Sequence, residues 1–153
     1  MILCCKVIKA LQGKTLVTAE SCTGGGIGAA LTAIPGSSEV YKGGVICYTD
    51  WVKANVLGVD EQLLSRYGAV SEPVARQMAV DVRKLLNADI AVSVTGLAGP
   101  GGDDFGNPVG TVYIGLSWGA QTTVGKFQFD GDRARVRNQA VEAALRMVLN
   151  IAE

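Results

Sequence analysis

The chain has 153 residues, a length that fits one domain with a single hydrophobic core. Its 14 basic and 14 acidic side chains cancel, so it lacks the basic excess with which nucleic-acid binders neutralise phosphates. It contains no histidine, which excludes serine–histidine catalysis, cysteine–histidine catalysis and histidine-ligated zinc within the chain.

The other bulk features favour a soluble protein. Every apolar segment is shorter than the roughly 18 residues that a membrane helix needs. Residues 1–10 lack the basic start and long apolar run of a signal peptide. The four cysteines include no CxxC pair, which predicts reduced thiols and no zinc site. We expect one cytoplasmic domain over residues 1–153 that binds no metal, no nucleic acid and no membrane.

Helices and strands alternate through the first part of the chain. Apolar periodicity and glycine or proline breaks mark their ends. The predicted elements are a helix over residues 3–11, a strand at 15–19, a helix at 27–34, a strand at 44–48, a helix over 51–57 capped by Thr49 or Asp50, and helical turns at 60–66.

The second part of the chain opens with an amphipathic helix that begins at Ser71-Glu72-Pro73. A strand over 89–95 follows, and then a glycine-rich loop over 96–108 that is long enough to suggest a functional role. Strands at 109–118 and 122–129 form a hairpin, and Asp132 caps a final helix to about residue 151. This order predicts a three-layer α/β/α sandwich with a mixed, mostly parallel sheet.

Ser21 lies where the first strand enters a glycine-rich turn, at the edge where open α/β folds place their sites. The N–H groups of Thr23, Gly24 and Gly25 at the helix start could hold a phosphate or the oxyanion of a tetrahedral intermediate. The same residues also suit a plain helix cap. Cys22 is an alternative nucleophile, because a helix N-terminus lowers the pKa of a thiol.

Lys53 and Tyr48 follow the second strand, which we expect to neighbour the first, so both side chains could reach Ser21. To act as a base, Lys53 needs its pKa lowered from about 10.4 to about 7.5, which corresponds to roughly 4 kcal/mol. A solvated surface lysine is the simpler interpretation of this residue.

Other strand edges add weaker candidates. Thr95 and Gly96 end the third strand, and Arg133 opens the last helix, where it could contact a phosphate or simply lie on the surface. The adjacent Asp103 and Asp104 are a weak metal signal. Neither GxGxxG nor GxxxxGK[ST] occurs, which disfavours a dinucleotide oxidoreductase or a kinase.

Taken together, these segments resemble the CinA C-terminal domain family, whose stand-alone members include bacterial nicotinamide-nucleotide amidases. The resemblance covers nearly the whole chain in family order. The matching stretches are TAESCTGG (18–25), PGSS (35–38), GGVICYTDWVK (43–53), GAVSEPVA (68–75), VTGLAGPGG (94–102), NPVGTVYIG (107–115) and FDGDRARVR (129–137). In this chain Asn107 stands where we expect the family often to carry a lysine before the proline.

The resemblance implies a serine–lysine amidohydrolase that converts nicotinamide mononucleotide, a pyridine nucleotide, to nicotinic acid mononucleotide and ammonia without a cofactor. It implies Ser21 as the nucleophile, Lys53 as the base and Tyr48 as an assistant. The implied substrate site contains Cys22, Thr23, Gly24, Gly25, Thr95, Gly96 and, at the phosphate, Arg133.

Two alternatives to this activity stay open: a non-enzymatic nucleotide- or protein-binding domain, and an amidase of the same mechanism with another substrate. The resemblance also implies a chain that lacks the nucleotide-pyrophosphatase-type domain, and its activity, of longer family members. We expect a homo-oligomer, either a dimer or a trimer, because small α/β enzymes commonly form symmetric assemblies.

Overall fold

A five-stranded sheet forms the centre of the protein, in a computed structural model that describes all 153 residues. The strands are β1 (Leu16–Glu20), β2 (Tyr41–Ile46), β3 (Ile90–Gly96), β4 (Thr111–Trp118) and β5 (Gln121–Gln128). The helices are α1 (Ile2–Ala10), α2 (Gly26–Thr32), α3 (Asp50–Val52), α4 (Glu61–Tyr67), α5 (Glu72–Leu85) and α6 (Arg133–Ala152). A 3₁₀ turn covers Ser37–Glu39, and a π-helical turn covers Lys53–Leu57.

The helices cover both faces of the sheet. On one face α1, α2 and α6 enclose a cluster of 22 buried residues that includes Val92 of β3. On the other face α4, α5 and the π-helical turn enclose a second cluster of 10, which includes the adjacent Ala91. Neighbouring residues of a strand point to opposite faces, so both clusters are built on the same strands. The predicted three-layer α/β/α sandwich is confirmed.

The sheet has the order β2-β1-β3-β4-β5 and is mixed, as predicted. β1 pairs in parallel with β2 and β3, whereas β3–β4 and β4–β5 are antiparallel pairs. Parallel and antiparallel pairs are thus equal in number, although β4 is the one strand that runs against the other four. No helix of the chain is both long enough and apolar enough to cross a membrane.

The second strand and the segment after it differ from the prediction. β2 begins at Tyr41, three residues before the predicted start, and its residues are alternately half-buried and exposed because it lies at the edge of the sheet. The helix predicted over 51–57 is a single α-helical turn that widens into the π-helical turn at Lys53. Thr49 caps the α-helical turn, because the Thr49 hydroxyl oxygen accepts a hydrogen bond from the Val52 N–H at 3.4 Å.

The carboxyl ends of β1, β2 and β3 lie side by side, because Glu20 is in register with both Ile46 and Val94. The chain leaves β1 toward β2 on one side, and β3 lies on the other. Such a switch point in strand order opens a crevice at the carboxyl edge of an α/β sheet. The segments after Glu20, Ile46 and Gly96 therefore converge there.

A close approach between α5 and the sheet yields a stability test at Gly115 of β4. A Cβ atom at this position would lie 2.5 Å from both the Ala75 carbonyl oxygen and Ser93 Oγ. These two atoms already share a 2.6 Å hydrogen bond, so neither can move freely. We expect Gly115→Ala to lower the free energy of unfolding by about 1–3 kcal/mol, measured by denaturant titration.

The matched control is Gly101→Ala, where no atom lies within 4 Å of an added Cβ and the backbone is not left-handed. This change should alter the free energy of unfolding by less than about 0.5 kcal/mol. Equal effects at Gly101 and Gly115 would contradict the close packing of α5 on β4.

Candidate active site

A tight turn over residues 21–25, called the glycine turn below, places Ser21 directly after β1. The Ser21 N–H donates to the Val94 carbonyl at 3.0 Å, and the Ser21 carbonyl accepts the Gly24 N–H at 3.0 Å. Gly24 and Gly25 have φ angles of +60° and +98°, a region that favours glycine. The turn thus reverses the chain from β1 into α2 within a few residues and leaves Ser21 at the sheet edge.

Lys53 lies against Ser21, with Nζ 3.0 Å from the serine Oγ and 2.9 Å from the Cys47 carbonyl oxygen, to which it donates. Only 1% of Lys53 is exposed. The salt bridges of the molecule are two surface pairs, Arg76–Glu72 and Arg146–Glu142, so no carboxylate pairs with Lys53. Burial lowers the pKa of Lys53 below its ordinary value of 10.5 and outweighs the nearby Cys47, Asp50 and Cys22, which act in the opposite direction.

Cys22 is a poor nucleophile in this setting. Its side chain joins the core cluster under α2 and α6, and burial raises the pKa of its thiol to about 11. The expectation that the helix N-terminus would lower this pKa is wrong, because loss of solvent outweighs the backbone N–H and the nearby cations. At neutral pH the thiol is protonated, whereas Ser21 has an adjacent amine.

The remaining residues of the glycine turn do not line the cleft described below. The Gly24 N–H is taken by the Ser21 carbonyl, and the Thr23 hydroxyl donates to Glu20 at 2.7 Å. By contrast, the N–H groups of Cys22, Thr23 and Gly25 have no acceptor within the chain. Of these three residues only Cys22 lines the cleft, so fewer donors are available to an oxyanion there than the sequence predicted.

Glu20 is the functional candidate that sequence reasoning missed. Its carboxylate is 2% exposed and accepts the N–H groups of Ile27 at 2.8 Å and Gly28 at 3.0 Å. It thereby occupies the N-terminus of α2, where the sequence suggested a substrate phosphate. An acidic residue that ends an otherwise uncharged strand, immediately before a glycine-rich turn, was the available signal.

Ser21 and Lys53 lie in a cleft of about 630 Å³. Its walls come from the three converging segments, from residues 64–70 and from the 97–105 part of the long loop, and Cys22, Tyr48, Thr95, Gly96 and Arg133 also line it. Thr95 is buried, and its hydroxyl donates to the Ala69 carbonyl at 2.9 Å. Gly96 packs so closely on β4 that an added Cβ would lie 2.6 Å from a Val112 methyl carbon.

Tyr48 and Arg133 form a pair at the cleft wall. Arg133 donates from Nη2 to the Tyr48 hydroxyl at 2.9 Å and from Nη1 to the Gly99 carbonyl at 2.7 Å. Tyr48 is 56% exposed and has no hydrogen bond to Lys53 or Ser21. The structure therefore brings Tyr48 together with the predicted phosphate contact instead of with the nucleophile and base.

The long loop is held by side-chain amide contacts. Asn107 donates from Nδ2 to the Val70 carbonyl at 3.1 Å and to Asp103 Oδ2 at 2.7 Å. The other carboxylate oxygen of Asp103 accepts the N–H groups of Phe105 and Asn107, both at 3.1 Å. Asp103 thus orders the loop, and Asn107 ties the loop to the opposite cleft wall.

Comparison with known proteins identifies the family of the chain. The sequence profile of the family described as "CinA C-terminal domain" matches residues 4–152. The chain belongs to the CinA C-terminal domain family. A CinA-like protein from Acidobacterium capsulatum is 46% identical over 138 residues, which cover 90% of this chain and 33% of that protein. The chain spans about a third of the length of the curated relatives it matches.

Solved structures of the CinA superfamily share the whole fold. A Klebsiella pneumoniae member superposes with a TM-score of 0.96 at 37% identity, covering 99% of this chain and 96% of its own. A competence/damage-inducible protein from Agrobacterium tumefaciens gives 0.95 at 37% identity, covering 99% and 94%. These matches confirm the fold of this CinA domain and the family predicted from its sequence.

The buried amine of this CinA domain predicts a pH-dependent stability. Because the pKa of Lys53 is lowered on folding, the unfolded chain binds more protons than the folded one between that lowered pKa and 10.5. Stability contributed by Lys53 therefore rises with pH in this window, by up to about 1.4 kcal/mol per pH unit. We expect Lys53→Met to lose this slope in urea titrations performed below pH 9.0, the ordinary thiol pKa.

Lys6→Met, at an exposed lysine of α1, controls for the loss of one positive charge. It should keep the slope of the unsubstituted protein. A Lys53→Met protein with an unchanged slope would show that the amine is protonated equally in the folded and unfolded states.

Proposed function

We propose that the protein is an amidohydrolase that converts nicotinamide mononucleotide to nicotinic acid mononucleotide and ammonia. The observation that carries this proposal is the 3.0 Å contact between the buried, unpaired amine of Lys53 and the Ser21 hydroxyl at the cleft floor. A lysine whose pKa is lowered by burial can be neutral when it meets the substrate, as a general base must be. A domain that only binds ligands does not require a neutral amine beside a hydroxyl.

In the first step, neutral Lys53 accepts the hydroxyl proton of Ser21 while Oγ attacks the carboxamide carbon. Negative charge then develops on the carboxamide oxygen. The N–H group of Cys22 has no acceptor within the chain, belongs to a residue that lines the cleft, and would stabilise this oxyanion. The Cys47 carbonyl accepts from Nζ at 2.9 Å, which keeps the amine directed toward Ser21 in both protonation states.

In the second step, protonated Lys53 gives its proton to the departing nitrogen, the carbon–nitrogen bond breaks and ammonia leaves. Water then attacks the acyl-serine while Lys53 accepts one of its protons. The ester bond to Oγ breaks, nicotinic acid mononucleotide leaves, and Lys53 returns the proton to Ser21 Oγ. Tyr48 is bonded to Arg133, so we assign it to substrate binding in preference to proton transfer. The proposed reaction uses no metal and no organic cofactor.

The cleft contains apolar side chains that suit the pyridine end of the mononucleotide and polar donors that suit its phosphate end. Apolar side chains of the wall, including Leu64, Leu97 and Phe105, provide contact for a pyridine ring. Arg133 and the Tyr48 hydroxyl provide donors for a phosphate. The cleft volume of about 630 Å³ is within the range of small-molecule sites. We infer that the protein acts in the cytoplasm, where such nucleotides are found, as a homo-oligomer.

The nucleophile is tested by ammonia release from nicotinamide mononucleotide. We expect Ser21→Ala to lower kcat by about 10³-fold or more, because the covalent intermediate can no longer form. Cys22→Ala removes the neighbouring thiol but keeps its N–H group, and should retain a substantial part of the activity. If Cys22→Ala loses activity and Ser21→Ala keeps it, then Cys22 is the nucleophile and Ser21 is not. If the folded wild-type protein is inactive on every amide tested, the proposed amidohydrolase function is refuted.

The phosphate contact is tested by comparing the mononucleotide with its dephosphorylated riboside. Arg133→Met removes a charge-assisted contact worth about 1.5–3 kcal/mol, so kcat/KM for the mononucleotide should fall by about 10- to 100-fold. The riboside should lose much less, because it has no phosphate to lose. Arg146→Met, on the exposed side of the same helix, is the control. An equal loss for both substrates would mean that Arg133 acts through the Gly99 loop instead.

A further inference from the structure

Two charged side chains hold the glycine turn from opposite directions, and neither touches the cleft. On one side, the Glu20 carboxylate accepts the Thr23 hydroxyl at 2.7 Å and the two N–H groups that begin α2. It also accepts the Thr18 hydroxyl at 3.3 Å. Both carboxylate oxygens are thus satisfied by neutral donors, and the turn is fixed to the end of β1.

On the other side, Arg137 reaches the turn from α6. Its Nε donates to the Cys22 carbonyl at 3.0 Å, and its Nη2 donates to the Thr23 carbonyl at 3.2 Å. Because a trans peptide directs its carbonyl and N–H to opposite sides, fixing the Cys22 carbonyl turns the Thr23 N–H away from Arg137. That N–H is one of the groups without an acceptor in the chain.

We propose that Glu20 and Arg137 are positioning residues that hold the glycine turn in the reactive geometry. Together they keep Ser21 Oγ at Lys53 and keep the N–H group of Cys22, which lines the cleft, free to receive an oxyanion. This inference rests on the proposed function, since it assigns a purpose to groups around its nucleophile.

Packing alone does not account for these two charges. Glu20 is 2% exposed without a cationic partner, and a buried unpaired charge is a costly way to fill space. Arg137 donates to backbone carbonyls of the glycine turn, at residues that precede it by 115 and 114 positions in the sequence. It also lies one helical turn after Arg133, so a single face of α6 contacts both the glycine turn and the Tyr48 wall of the cleft.

The test uses Arg137→Gln for one side of the turn and Thr23→Val for the hydroxyl that Glu20 accepts. Each is measured for kcat and KM on the mononucleotide, for the rate at which a sulfonyl fluoride modifies Ser21, and for the unfolding temperature. We expect kcat and the modification rate to fall together by about 10- to 100-fold with KM changed little, because a misplacement of about 1 Å costs this much. Thr23→Ser, which restores the hydroxyl, should recover most of what Thr23→Val loses.

Arg146→Gln, on the exposed side of α6, is the control and should leave all three readouts unchanged. A lowered unfolding temperature with normal kcat and normal Ser21 modification would overturn the inference, because the charges would then serve only folding. Wild type that is modified at Ser21 but releases no ammonia would refute the proposed substrate, while the modification rates still decide the roles of Glu20 and Arg137. Wild type that shows neither reaction would refute both.

Discussion

The arrangement of the site depends on one constraint, the burial of the Lys53 amine without a carboxylate beside it. An ion pair would relieve the desolvation cost but would also raise the pKa of the lysine and hold its proton. The protein instead surrounds Nζ with the Ser21 hydroxyl and the Cys47 carbonyl, two neutral partners. The π-helical turn that begins at Lys53 and the edge position of β2 place this side chain under the sheet edge instead of in solvent. A local departure from regular helix thus begins at the residue that we propose as the base.

The same edge contains a buried carboxylate, Glu20, in the residue before Ser21. Its charge does not neutralise Lys53, because both of its oxygens are occupied by donors from the turn, from Thr18 and from α2. The backbone of Glu20 nevertheless links the two sides, since its carbonyl accepts the Cys47 N–H at 2.9 Å and the Cys47 carbonyl accepts from Lys53. Ser21 and Lys53 are therefore connected through the β1–β2 pairing as well as by direct contact. This connection explains how a short turn can fix a 3.0 Å separation between residues 32 positions apart.

Sequence reasoning placed Lys53 near Ser21 because this step needed only strand order: side chains that follow two adjacent parallel strands meet at one edge. It could not evaluate desolvation, and so it assigned Cys22 a lowered thiol pKa where burial raises it to about 11. It also could not show which N–H donors were already hydrogen-bonded, and the N–H groups at the start of α2 donate to Glu20 and not to a ligand.

Tyr48 lies in the cleft as predicted, but it is hydrogen-bonded to Arg133, a contact over 85 residues that no local pattern indicates. The strand that was misplaced, β2, is the edge strand, whose half-exposed residues give the weakest apolar signal.

The distribution of charge in the cleft narrows the substrates that the site can accept. Lys53 and Arg133 are the cationic residues of the lining, and three aspartates, Asp50, Asp103 and Asp104, lie among the other lining residues. In the proposed mechanism Lys53 begins as a neutral amine, so Arg133 is the permanent cation of the lining and gives an anionic group on the substrate one favourable place. Asn107, at the position where a lysine was expected, lies outside the lining and adds no charge beside it; its amide donates to the Val70 carbonyl and to Asp103. A substrate with a phosphate at one end and a cationic ring at the other matches a cleft with one arginine and three carboxylates better than a fully anionic molecule would. The proposed substrate is such a zwitterion, and in that proposal Arg133 and its partner Tyr48 contact the phosphate.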